Sequence, residues 1–233
     1  MTNEISDGKY LPRIFFFTGL GADERAFSSL IIKTPLQQIH VNWPKPEKHE
    51  PLTAYCRRLT EKYKIKDGDV LIGLSFGGLV VTEINHLIKP ALSILISSAS
   101  TRKELPLIYR TAGSLNLHWL IPQSLLNKPN RLRYYLFSLK TPAQKKLFDE
   151  IVSNADPDFV QWAIDKIVHW KNSERPENLF KIHGTADRIM PIHKASSDFI
   201  IKGGSHFLTW ENAEEVSAII RHLMKTKGLD TGK

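Results

Sequence analysis

One cysteine, Cys56, serves the whole chain of 233 residues, so no internal disulfide can brace the fold. A reducing compartment is the simplest setting, and a cytoplasmic location is the expectation. No apolar run approaches the roughly 20 residues needed to span a bilayer, so no membrane partner is expected. Met1 to Tyr10 has no basic patch leading into an apolar stretch, and a secretory signal is not expected there either. Low-complexity bias, coiled-coil heptads and fixed-period repeats are missing, which excludes fibrous and solenoid architectures. Acidic residues are the scarcer charge: 24 Asp and Glu face 32 Lys and Arg, for a net charge of +8. The basic excess is dispersed over Arg57 and Arg58, Lys62 to Lys66 in alternation, Arg131 and Arg133, Lys145 and Lys146, and Lys225 and Lys227. That dispersion reads as solvated helix faces. With no recognised nucleic-acid module beside it, nucleic acid is not an expected partner. An acidic substrate or carrier, such as a coenzyme A thioester or an acyl carrier protein, stays open.

What is present is an ordinary globular composition, 42% apolar, enough for the core of one domain with an insertion. Arg13-Ile14-Phe15-Phe16-Phe17 is a continuous apolar run that stops at Thr18-Gly19-Leu20-Gly21, as a strand buried on both faces does. A helix is expected over Glu24 to Ile32, a short strand over Gln38 to Trp43, and a helix from Thr53, as N-cap, to about Tyr63. Val70 to Leu74 and Leu92 to Ser97 read as further buried strands, with a helix between them that Pro90 ends. Strands alternating with helices predict a mostly parallel sheet covered on both faces. The rhythm then changes. From Thr101 to Arg175 only helical patterns occur, over 105–114, 130–139, 142–155 and 158–171, with Thr141-Pro142 and Asp156-Pro157 as entry signals. Strands return at Asn178 to His183 and Asp198 to Lys202, and an amphipathic helix over Glu211 to Lys225 closes the chain. The expected division is therefore a core of residues 1–100 and 176–233 with a helical lid of residues 101–175.

The densest signal is Gly73-Leu74-Ser75-Phe76-Gly77, a serine between two glycines at a strand-to-helix turn. Gly73 and Gly77 keep side chains away from a strained backbone, Ser75 is aimed out of the sheet, and the Phe76 amide sits at a helix N-terminus, poised to donate to an oxyanion. A serine hydroxyl needs a base to act as a nucleophile near neutrality, histidine supplies one, and an acid must hold that histidine in one tautomer. Asp187, in His183-Gly184-Thr185-Ala186-Asp187, and His206, in Gly203-Gly204-Ser205-His206-Phe207, each follow a predicted strand.

In that chain order, Ser75, Asp187, His206, the sequence resembles the α/β-hydrolase superfamily, a resemblance running from Arg13 to Leu223. It implies a nucleophilic serine, a histidine base, an orienting aspartate and an acyl-enzyme intermediate in hydrolytic members. It also implies a second oxyanion donor in the loop after the first strand, here the amide of Leu20, although relatives often carry His-Gly where this chain has Thr18-Gly19. Some relatives carry the acid after the strand that follows the elbow, but Ser97 to Thr101 offers no carboxylate. His193 is a rival base and His183 reads as a hydrogen-bonded, partly buried residue. No histidine pair has metal-ligand spacing, and neither metal nor organic cofactor is called for.

Two departures set further expectations. The chain begins at what resembles the third strand of the larger fold, so six strands are expected, and Asp187 and His206 are only 19 residues apart. A trimmed connection over Met190 to Ser197 must cover that sheet edge, which invites a dimer contact, so monomer and homodimer both stay open. In the lid the aromatic residues read mainly as packing; Trp119 and Trp162, together with Phe207 beside His206, are the substrate-pocket candidates. The expected activity is a serine hydrolase that cleaves a carboxylic ester or thioester of a small to medium apolar acyl group. Alternatives on the same residues are hydroxynitrile-lyase-like or carbon-carbon bond hydrolase chemistry, and a non-catalytic small-ligand receptor.

Overall fold

The computed structural model describes residues 10–116 and 131–229. Its centre is a six-stranded, all-parallel sheet of order β2-β1-β3-β4-β5-β6, made of β1 (Ile14–Phe17), β2 (Gln38–Val41), β3 (Val70–Leu74), β4 (Leu92–Ile96), β5 (Leu179–Gly184) and β6 (Phe199–Ile201). The described helices are α1 (Leu52–Tyr63), α2 (Phe76–Ile84), α3 (Leu107–Ser114), α4 (Arg131–Leu136), α5 (Pro142–Ser153), α6 (Pro157–Val168), α7 (Leu208–Glu211) and α8 (Ala213–Thr226). Period-two alternation divides each inner strand between two cores. Phe15 and Phe17 of β1 join Leu71, Leu95 and residues of α1, α2 and α6 on one face. Ile14 and Phe16 join Ile72, Ile94 and the Val216, Ile220 and Leu223 stripe of α8 on the other. All four residues of β1 are buried, and each large side chain so placed contributes about 1.5–3 kcal/mol of transfer free energy.

Most element ends shift by a few residues from the sequence reading, the closing helix is divided at Asn212 into α7 and α8, and three of the differences have a clear physical reason. Instead of a helix over 24–32 there is one 3₁₀ turn, Glu24–Phe27, capped by the Asp23 side chain on the Arg25 N–H. Ser28 and Leu30 still donate to the Arg25 and Phe27 carbonyls, but Ile31 takes its partners from α8: its N–H donates to Ser217 Oγ at 3.0 Å, and Arg221 donates to its carbonyl at 2.7 Å. Tertiary partners have displaced the local ladder there. Helix α1 starts at Leu52 with Pro51 as N-cap, whose missing N–H costs nothing at a helix start, so Thr53 lies inside the first turn and is not the cap. Helix α2 ends at Ile84, well short of Pro90, where Asn85 turns its side chain back to the Val81 carbonyl and to Ser93 Oγ. The Thr141 capping box and the Asp156 cap occur as their sequences suggest.

The strand order reverses at β1. The chain passes from β1 outward to β2, then returns to β3 on the opposite side of β1. In open parallel sheets a crevice opens at the C-terminal ends of the strands flanking such a reversal. The register pairs Phe17 with Gly73, so the loop that follows β1 lies against the turn that follows β3.

Candidate active site

The β3 to α2 turn is built by close approach. A Cβ on Gly77 would come within 2.1 Å of the Phe17 carbonyl oxygen, and one on Gly73 within 2.5 Å of the Gly77 oxygen. Only glycine lets α2 leave the sheet this tightly. Ser75 takes the strain: its φ of 52° and ψ of −117° lie where side chains are rarely found, at a cost of about 1–3 kcal/mol. Neighbours hold it there. The Ser75 N–H donates to the Ile96 carbonyl at 3.0 Å, and the Ser98 hydroxyl donates to the Ser75 carbonyl at 2.7 Å. Every residue of Val70 to Ile84 is buried except Ser75. Phe76, the first residue of α2, has no acceptor for its N–H within the helix, and the helix dipole adds partial positive charge at that end.

His206 completes a row. Its Nδ1 lies 2.8 Å from Asp187 Oδ2 and its Nε2 3.0 Å from Ser75 Oγ. The carboxylate only accepts, so Nδ1 carries the proton and Nε2 presents its lone pair to the serine hydroxyl. Asp187 is fully engaged. Its Oδ1 accepts the N–H groups of Ile189 at 2.9 Å and Met190 at 2.8 Å. Burial works against its ionisation. Electrostatic attraction to the His206 ring, hydrogen bonds from His183 and His206, and the Met190 N–H outweigh burial and hold the carboxyl well below the usual carboxylate range. His183, read from the sequence as hydrogen-bonded and partly buried, is hydrogen-bonded and fully buried; its Nε2, which donates to the Met190 carbonyl at 2.7 Å, also lies 3.3 Å from Asp187 Oδ2. The spacing of four residues across a strand end was the available signal. His193, the rival base, lies in the connection before β6, its Nδ1 3.3 Å from Ser196 Oγ.

Thr18 solves the problem posed by the missing His-Gly pair. Its hydroxyl donates to the Ala22 carbonyl at 2.6 Å and accepts the Trp43 indole N–H at 2.8 Å, so one side chain closes the loop and ties it to the segment that follows β2. Gly19 lies against Ser75; a Cβ there would stand 3.5 Å from the Ser75 Cβ. Leu20 is half-buried against the aromatic core. A cavity of about 210 Å³ lies between Gly21, Trp43 and Phe159 on the flank of this loop.

The pocket candidates separate. Trp162 packs on Tyr55, Phe76 and Phe159 and donates its indole N–H to the Glu50 carbonyl. Phe207 is buried with Leu139, Phe148 and Val152 and packs at a tilt against Trp210. Trp119 lies outside the described residues. A residue not singled out by sequence, Phe137 of the segment between β4 and β5, sets its ring edge-on against His206. Among the described residues no group of three or more His, Cys, Asp or Glu side chains is placed to hold a metal ion, and no helix is long and apolar enough to cross a membrane.

A six-stranded parallel sheet with an acute strand-serine-helix turn at its reversal point, and an acid and a histidine after later strands, is the α/β-hydrolase fold, and the chain has it. Solved structures of this fold align over nearly its whole length. MenH from S. aureus aligns with a TM-score of 0.66 and 18% identity, over 96% of this chain and 97% of that one. A thermophilic esterase from Thermogutta terrifontis aligns with a TM-score of 0.60 and 17% identity, over 96% and 92%. A bromoperoxidase from Bacillus anthracis aligns with a TM-score of 0.63 and 14% identity, over 93% and 92%. No family model and no curated protein matches the chain.

Proposed function

We propose that the protein is a serine hydrolase that cleaves a carboxylic ester or thioester of a small to medium apolar acyl group. The observation that carries this reading is the continuous row Asp187, His206, Ser75 with contacts of 2.8 and 3.0 Å, ending on the one residue of its strand-turn-helix unit that is not buried. In this mechanism His206 Nε2 takes the proton of the Ser75 hydroxyl as Oγ attacks the substrate carbonyl carbon. The resulting oxyanion is held by the amides of Phe76 and Leu20. Asp187 keeps the His206 proton on Nδ1 and stabilises the imidazolium that forms. The proton then passes to the departing alcohol or thiol, leaving an acyl group on Ser75. A water molecule, deprotonated by His206, attacks the acyl-serine and releases the acid. The helices α3 to α6, inserted between β4 and β5, act as a lid, and Phe137 links that lid to the base.

The test is turnover. A panel of nitrophenyl esters and thioesters of graded acyl length should give saturable hydrolysis by the wild type. Ser75→Ala should lower kcat by about a thousandfold or more, since removing a member of such a triad leaves only binding and oxyanion stabilisation. Saturable binding of the panel without turnover would point instead to a receptor.

A further inference from the structure

The basic residues that look scattered in the sequence are partly gathered by the fold. A cavity of about 460 Å³ opens between α4, the start of α5 and the loops that carry Asp187 and His206. Arg131, Lys140, Lys145 and Arg188 line it, with Tyr134 and Tyr135. Lys145 lies over the Tyr134 ring at 5.5 Å and Arg188 over the Tyr135 ring at 4.2 Å. A ring face orients a cation without neutralising it. Among the described residues none of the four forms an ion pair with a carboxylate, whereas Lys146, the neighbour of Lys145, pairs with Glu150 on the outer face of α5. Among the described residues no carboxylate lines the cavity. Like charges held together around a concave surface repel one another and focus a positive potential into it. Arg188 is fixed as well, donating to the Tyr135 carbonyl at 2.8 Å and to Ser138 Oγ at 3.2 Å.

The cavity wall also contains Ala186 and Ser205, the residues immediately before Asp187 and His206. We propose that this cavity is an anion-binding site for the phosphates of a phosphorylated ligand, and that the ligand is the phosphate-bearing leaving group of a thioester substrate of the coenzyme A type. Four cations match a diphosphate or triply phosphorylated group. Substrate choice would then rest on the leaving group held at this cavity as much as on the acyl group held near Ser75. The kinetic part of the proposal rests on the serine-hydrolase reading; the binding part does not.

The experiment is calorimetric titration of the full chain with inorganic pyrophosphate and, separately, with coenzyme A. Wild type is compared with Lys140→Gln/Lys145→Gln, with Arg131→Gln as a second variant, and with a charge-matched control, Lys33→Gln/Lys225→Gln, on exposed positions elsewhere. The expected result is binding by the wild type and the control, an affinity lowered by about tenfold or more in the cavity variants, and weakening of the wild type by added salt. Coenzyme A binding at least about tenfold more tightly than pyrophosphate supports the thioester source; equal affinities support the anion site and overturn that source. Ser75→Ala should bind coenzyme A as the wild type does, so loss of turnover and loss of binding are read apart. Equal affinity in the wild type and the cavity variants, or no binding of either probe at millimolar concentration, overturns the proposal.

Discussion

Phe137 meets His206 edge to face, ring centroids 5.5 Å apart at an interplanar angle of 78°. The hydrogen-rich edge of one ring against the face of the other restricts the tilt of the imidazole, and Phe148 supports Phe137 from behind at 4.6 Å. Such a contact is worth about 0.5–1.5 kcal/mol, which corresponds to as much as about tenfold in rate if it is expressed fully in the transition state. Phe137→Ala is therefore expected to lower kcat by about three- to tenfold and to lower Tm through the packing lost against Phe148, whereas Phe137→Leu should keep the stability and still lower kcat. Ester kinetics alongside a melting curve check this.

Ser75 at a φ of 52° trades stability for exposure of its hydroxyl. Ser75→Ala and Ser75→Gly both lose the hydroxyl, but only glycine relieves the backbone. Ser75→Gly should be more stable than Ser75→Ala by about 1 kcal/mol, or about 2–4 °C in Tm for a chain of this size. Equal melting temperatures would show that the turn is not strained.

Thr18 ties the loop after β1 to Ala22 and Trp43. Thr18→Val removes the hydroxyl and keeps the shape, leaving the indole N–H of Trp43 unpartnered at about 1–3 kcal/mol. Because Leu20 lies in the same loop, kcat should fall more than KM rises. A drop in stability with unchanged kcat would assign Thr18 a packing role only.

The acid limb of stability should carry the mark of Asp187. Its carboxyl titrates below the usual range in the folded chain, so its contribution is present above the unfolded aspartate pKa of about 4 and drains as pH falls below that. The Tm difference between wild type and Asp187→Asn is expected to be largest near neutrality, to start closing below about pH 5 and to go on closing as pH falls through the depressed folded value. A difference independent of pH contradicts this.

Lys181 on β5 and Glu104 after β4 form a buried ion pair, tied further to Ser100 and Ser196. Burial pushes the Lys181 ammonium below its ordinary range despite the attraction of Glu104, which marks a pair whose desolvation is incompletely offset. Lys181→Met alone should cost about 3–5 kcal/mol by stranding Glu104, and Lys181→Met/Glu104→Leu should recover most of it. Chemical denaturation of the three chains decides.

The sheet and the serine turn were legible in the sequence because their signals are local. Uninterrupted apolar runs such as Ile14 to Phe17 mark strands buried on both faces, and Gly73 and Gly77 flank a turn that no other residue fits. What the sequence hid was set by distant partners. The segment at Ile31 is pulled from helix by Ser217 and Arg221, the Thr18 hydroxyl ties its loop to Ala22 and Trp43, and His183 reaches Asp187 only because β5 ends in a tight loop. Phe137 and the cluster of Arg131, Lys140, Lys145 and Arg188 were invisible for the same reason: helical segments announce their apolar stripe but not the element they will face.

The most direct test of the central claim is to expose the protein to a fluorophosphonate and map the adduct by mass spectrometry of its peptides. The account predicts a single adduct, on Ser75, formed by the wild type, strongly slowed in His206→Ala and absent in Ser75→Ala. Labelling of Ser75→Ala at the wild-type rate, or an adduct on another residue with Ser75 unmodified, would contradict it.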